Sequence, residues 1–210
     1  MDMCWASGSA WYSLTARCEH GITVVEGPAA PTLLRLLAGR PIPHTGTASL
    51  DGRPLQFGWE AARHGPEIRP VAAVLHGDRL PVWRTSLGAV AAAVRAQGVP
   101  FWLARRRARQ ALGWAHASSE AGRAVAMLDV QARQRVLLAR ALAVVPGLLL
   151  LASPGAMLSR ADRLVVYDTL QTLAEQWEMV VLVSGATELG TYATLLPTVV
   201  TGGTVGSSGL

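Results

Sequence analysis

The stretch EGPAAPTLLRLLAG (Glu26–Gly39) follows the apolar run ITVV (Ile22–Val25) and leads into a helical pattern. A strand, a glycine-containing loop and a helix form the setting in which backbone N–H groups cradle phosphate, and the working pattern is G-x-x-x-x-G-K-[ST]. Here Gly27, Pro28, Ala29, Ala30, Pro31 and Thr32 stand between strand and helix, and neither the second glycine nor the lysine is present. A nest of N–H groups needs length to curl around a phosphate. Pro28 and Pro31 carry no N–H and remove two of the few donors left. Weak anion binding at the helix N-terminus is expected of such a loop; tight binding of a magnesium triphosphate is not.

Other residues with chemical potential are scattered. Asp78 and Asp129 are the carboxylates nearest to candidate motifs, and His76 ends an apolar run. His20, His44, His64 and His116 fall in no motif and read as surface residues. Cys4 and Cys18 lack metal-ligand spacing and read as free thiols. The densest basic cluster is ARRRAR, with Arg105, Arg106, Arg107 and Arg109. Such a cluster can meet nucleic acid, anionic headgroups or an acidic partner. No zinc-finger spacing or RNA-binding aromatic signature accompanies it, so the reading adopted is a solvated helix face.

The elements that must position these residues follow from the pattern of the chain. It has 210 residues, 50% hydrophobic and 16% charged, which suits a buried core and argues against disorder. The net charge is +5 and the pI about 10.2, carried by arginine. No apolar run reaches the ~18–20 residues needed to cross a bilayer. The longest candidate, Val144–Leu158, is interrupted by Pro146 and Pro154. The N-terminal MDMCWASGSAWYSL has no basic region followed by an apolar one, so no secretory leader is expected. A cytosolic placement follows.

Buried strands are expected at Ile22–Gly27, Val71–Gly77, Leu148–Ser153 and Met179–Gly185. Helices are expected at Thr32–Ala38, through Leu87–Trp114 with a break at Gly98–Pro100, at Val130–Val145 with Asp129 as N-cap, and at Arg160–Trp177. Asp51-Gly52 marks a hairpin within Thr47–Gln56, and Thr198–Val205 reads as a second, weaker one. Apolar strands alternating with helices imply one α/β domain over residues 1–210, its mostly parallel sheet flanked by helices. A helical subdomain is expected at about 87–126.

This order of elements resembles the nucleotide-binding domain of ATP-binding cassette (ABC) transporters, a P-loop NTPase-like fold that also carries a small antiparallel β part. Thr32–Leu55 looks like the helix after the family's phosphate loop plus the following hairpin. Val71–Val90 (VAAVLHGDRLPVWRTSLGAV) looks like its Q-loop region. Leu128–Pro154 looks like the signature helix running into the Walker B strand, and RQRVLLARALA before PGLLLL is the most specific match. The departures fall on the functional positions. His76 replaces the Q-loop glutamine. Leu128, Asp129, Val130, Gln131 and Ala132 replace LSGGQ, which would face the γ-phosphate held by an opposite subunit. A carboxylate there would repel the phosphate by several kcal/mol at ~4 Å and a dielectric of about 20. Ala152 and Ser153 stand where an Asp would hold magnesium and a Glu would polarise water. Gly185 stands at the switch histidine.

The resemblance therefore implies a pseudo-ATPase subunit that keeps the scaffold, has no catalytic residues and needs no cofactor. Its partners would be a transmembrane permease subunit, another ABC ATPase-like subunit, or both. It would sit peripherally on the inner face of the cell membrane. The permease would dock beside His76–Gln97, with Leu80 and Trp83 as apolar contacts. Trp5, Trp11 and Tyr12 are candidates for the family's adenine-stacking aromatic. Two alternatives stand beside this reading: a divergent but active ATPase subunit using ATP and magnesium, and a regulatory or nucleic-acid-binding module on the same fold.

Overall fold

A computed structural model describes residues 1–8, 10–55, 71–75, 77–154 and 158–185, together with the backbone of 194–197 and 199–204. Among these residues, five strands form a parallel sheet in the order β10 (Thr194–Pro197), β3 (Gly21–Glu26), β9 (Val180–Ser184), β8 (Leu148–Ala152), β7 (Val71–Val74). The central strands β3, β8 and β9 are continuous apolar runs because both of their faces are covered. Alternate residues go to opposite sides. Leu149, Leu151, Val181 and Val183 enter a core closed by α2 (Ser86–Arg95), α3 (Phe101–Trp114), α4 (Val130–Leu142) and α5 (Arg160–Gln176). Leu148, Leu150, Val180 and Leu182 enter a second core, under α1 (Ala30–Leu37).

A second sheet completes that other core. It is antiparallel, in the order β11 (Val199–Thr204), β2 (Ala10–Thr15), β1 (Asp2–Ser7), β4 (His44–Thr47). The hairpin β1–β2 was not expected from the sequence, although Met3 and Trp5 alternate with more exposed neighbours and Gly8 takes φ +65° at the turn. Of the two β hairpins expected, the one at Asp51-Gly52 forms: β5 (Ser49–Leu50) pairs with β6 (Arg53–Pro54) across Asp51 and Gly52 at φ 52° and 75°. Such a two-residue turn needs positive φ at both positions. The expected second hairpin is corrected: among the described residues the C-terminal segment forms none. Val199–Thr204 is one strand against β2, and its register shifts between Thr201 and Thr204, where Gly202 and Gly203 lie.

α2, α4 and α5 start on side-chain caps. The Thr85 side chain accepts from the Gly88 N–H, Asp129 from Ala132 and Ser159 from Asp162. α2, α3 and α4 pack on one another beside the parallel sheet. Trp114 at the end of α3 meets Trp177 just after α5 edge to face, centroids 4.8 Å apart, an arrangement aromatic pairs prefer.

Candidate functional site

The loop after β3 is a turn. The Ala30 N–H donates to the Gly27 carbonyl at 3.2 Å, closing the chain over Pro28 and Ala29. Gly27 sits at φ +108°, a region open to glycine. Ala29 is fully buried, and its carbonyl accepts from the N–H groups of Thr32 and Leu33, both at 3.0 Å, and from the Trp5 indole at 3.3 Å. The N–H groups of Ala30, Thr32 and Leu33 are thus spent on the chain itself, and Pro28 and Pro31 have none to give. The Thr32 hydroxyl is paired with that of Ser7 at 3.0 Å. The sequence holds a stronger signal than the loop's missing lysine: all 19 of its Lys and Arg residues are arginine, so no lysine anywhere in the chain could reach a phosphate.

Trp5 is corrected as a base-stacking candidate. It is fully buried and supports the loop from beneath through Ala29, with Tyr12 stacked 6.4 Å away. Trp11 and Tyr12 are half-buried.

The ends of β8 and β9 meet as the resemblance requires, with other residues. Ala152 pairs with Ser184, and the Ser153 N–H donates to the Ser184 carbonyl at 2.7 Å. Ser153 takes φ +50° and Gly185 φ +71°. A Cβ built on Gly185 would stand 2.5 Å from the Ser153 hydroxyl oxygen. Ser153 and Gly185 therefore fit each other as a pair. Neither they nor Ala152 carries a carboxylate or an imidazole.

The two carboxylates near candidate motifs are engaged elsewhere. Asp78 accepts from the Leu75 N–H at 2.9 Å and lies 3.9 Å from the Arg140 guanidinium, closing the turn after β7. His76 lies outside the described residues. Asp129 accepts from the Ala132 N–H at 2.7 Å and caps α4. Around it Leu128 and Ala132 are buried while Asp129, Val130 and Gln131 are exposed. Among the described residues no cluster of His, Cys, Asp or Glu could hold a metal ion.

Of the two docking candidates, Trp83 is 80% exposed beside the exposed Val82. Leu80 is corrected: it is buried in the core with α2 and α4 and offers no surface. Beyond Trp83 the residues from Arg79 to Ser119 include seven arginines and no acid. Arg105, Arg106 and Arg109 are exposed on α3, Arg107 is half-buried, and Phe101 and Trp102 are exposed at its start. His20 and His116 are exposed and His44 half-buried, while His64 lies outside the described residues. Cys4 and Cys18 are free thiols, and burial pushes the Cys18 thiol up, partly offset by the nearby terminal amine.

Solved structures share this fold. The dimeric bacterial ABC transporter cassette MJ0796 matches 93% of this chain and 91% of its own, with a TM-score of 0.74 at 18% identity. The fold is that of an ATP-binding cassette. A metal-chelate type ABC transporter in an inward-facing conformation matches with a TM-score of 0.66 at 22% identity, over 90% of this chain and 73% of its own. Among curated proteins, the taurine import ATP-binding protein TauB of Pseudomonas aeruginosa (strain UCBPP-PA14) is 37% identical over 143 residues, which cover 67% of this chain and 51% of TauB. The aliphatic sulfonates import ATP-binding protein SsuB of Escherichia coli O1:K1 is 34% identical over 157 residues, covering 74% of this chain and 55% of SsuB. The chain thus spans about half the length of the curated relatives it matches. No family model matches it. No helix among the described residues is long and apolar enough to cross a membrane.

Proposed function

We propose that this chain is a cassette-type subunit of a membrane import assembly that has lost ATP hydrolysis and serves as a structural or docking partner. The observation that carries the reading is the Gly27–Ala30 turn: the N–H groups of Ala30, Thr32 and Leu33 are taken by the chain's own carbonyls, Pro28 and Pro31 have none, and the chain has no lysine to reach a triphosphate. The ends of β8 and β9 add nothing to grip magnesium, and Asp78 is held by its own turn and by Arg140. If such cassettes pair head to tail, the site formed by a partner's intact loop would face Asp129, Val130 and Gln131, so neither composite site would be complete. A permease subunit would meet the exposed Trp83, from the cytoplasmic side.

A second reading, a divergent ATP-binding subunit that still works, is favoured by the relatives: TauB and SsuB are both named as import ATP-binding proteins. Purification from native membranes followed by a magnesium-dependent ATPase assay on whatever complex is recovered separates the two. A co-purifying permease without hydrolysis at this chain's sites supports the first. Hydrolysis that is lost on altering residues 27–32 supports the second and overturns the first.

A further inference from the structure

The end of α1, opposite to the vestigial loop, builds a cationic pair. Gly39 takes φ +81°; its N–H bonds the Leu36 carbonyl at 2.9 Å and the Arg40 N–H bonds the Arg35 carbonyl at 3.0 Å. This is the double-bonded glycine cap that brings together the side chains three residues before the cap and two after it, commonly as an apolar contact. Here both positions are arginine. Both are exposed, and among the described residues neither has an ion-pair partner. The negative end of the helix dipole offsets only about half a charge of the two. Arg35 and Arg40 line an open groove of about 610 Å³ together with the Ser7–Thr32 hydroxyl pair and the apolar Ile42, Pro43 and Leu75. None of the described residues lining it is acidic.

We infer that this groove binds a single phosphoryl or sulfonyl group carried on a small apolar body, without a metal. The two guanidinium forks hold the anion, as planar donors suit tetrahedral oxyanions. The hydroxyl pair, one member of which donates to the other, has one O–H left to donate, and Ile42, Pro43 and Leu75 receive the body. The inference extends the proposed function and rests on it in one respect: the ligand is taken without magnesium, so the groove would act as a small-anion sensor in a subunit that no longer uses nucleotide energy.

Calorimetric titrations of the full chain with inorganic phosphate, phenyl phosphate and ATP, each with and without magnesium, test it. Saturable, magnesium-independent binding of both phosphates is expected, tighter for phenyl phosphate. Arg35→Ala or Arg40→Ala should each weaken it about tenfold or more, the loss of a charge-assisted contact, while Arg105→Ala on α3 leaves it unchanged. Circular dichroism checks that the variants are folded. No saturable phosphate binding, or binding indifferent to both substitutions, overturns the inference and leaves the proposed function standing. Magnesium-dependent ATP binding insensitive to Arg35 and Arg40 overturns the proposed function and, with it, the metal-free premise.

Discussion

Restoring a side chain at residue 185 should destabilise the protein rather than awaken it. Gly185→Ala places a Cβ at φ +71°, where an L-residue is strained by roughly 1–2 kcal/mol. That Cβ also stands 2.5 Å from the Ser153 hydroxyl oxygen, which must rotate away. An off-rotamer side chain adds about 0.5–1.5 kcal/mol. The sum is about 1.5–3.5 kcal/mol, or a fall in Tm of roughly 3–14 °C for a chain of this size. Ser153→Gly should act in the opposite sense, because Ser153 itself sits at φ +50°, and the Ser153–Ser184 backbone bond does not depend on the side chain. The double variant removes the collision and keeps the φ strain at 185, so a thermal-melt cycle should return a coupling of about 0.5–1.5 kcal/mol. Gly185→His should carry the same strain and bring no ATPase activity, for want of a carboxylate at Ala152 or Ser153. A Gly185→Ala variant as stable as the parent, or additive effects of the two substitutions, would refute the fit described for this corner.

Three further outcomes follow from single groups. Asp129→Ala removes the cap of α4 and should cost about 1 kcal/mol in chemical denaturation, whereas Asp129→Ser should retain most of it. Among the described residues the buried Ser184 hydroxyl has no hydrogen-bond partner, a situation that costs about 1–3 kcal/mol; Ser184→Ala should therefore raise stability by about 1 kcal/mol. The Cys18 thiol is raised by burial, so the unfolded chain ionises first. Its contribution is complete below the unfolded pKa and lost as pH rises through the folded one, and alkaline denaturation should come earlier in the parent than in Cys18→Ala.

Where local pattern and tertiary demand agree, the sequence was enough. The runs ITVV, LLLL and VVLVS are strands because both their faces are covered, and nothing but a covered parallel sheet makes such runs useful. Asp129 could be read as a cap from its place before a helical period. The antiparallel sheet was harder. β1 and β2 are short, their alternation is broken by half-buried residues, and β11 pairs with β2 across most of the chain. Leu80 and Trp83 sit in one loop with the same apolar character, and only the packing of α2 and α4 decides that Leu80 turns inward while Trp83 stays out. The Trp5 indole under Ala29 is likewise a long-range contact that residue type does not announce. At the site, the absence of lysine from the chain could be read from the sequence alone. The pairing of Ser153 with Gly185 and of Arg35 with Arg40 depends on backbone angles and could not.

The claim on which the rest depends is that the Gly27–Thr32 turn cannot seat a metal-bound triphosphate. Equilibrium titration of the purified chain with ATP, with and without magnesium, tests it most directly. The account predicts no magnesium-dependent saturation. Saturable binding that requires magnesium and disappears when residues 27–32 are altered would contradict it.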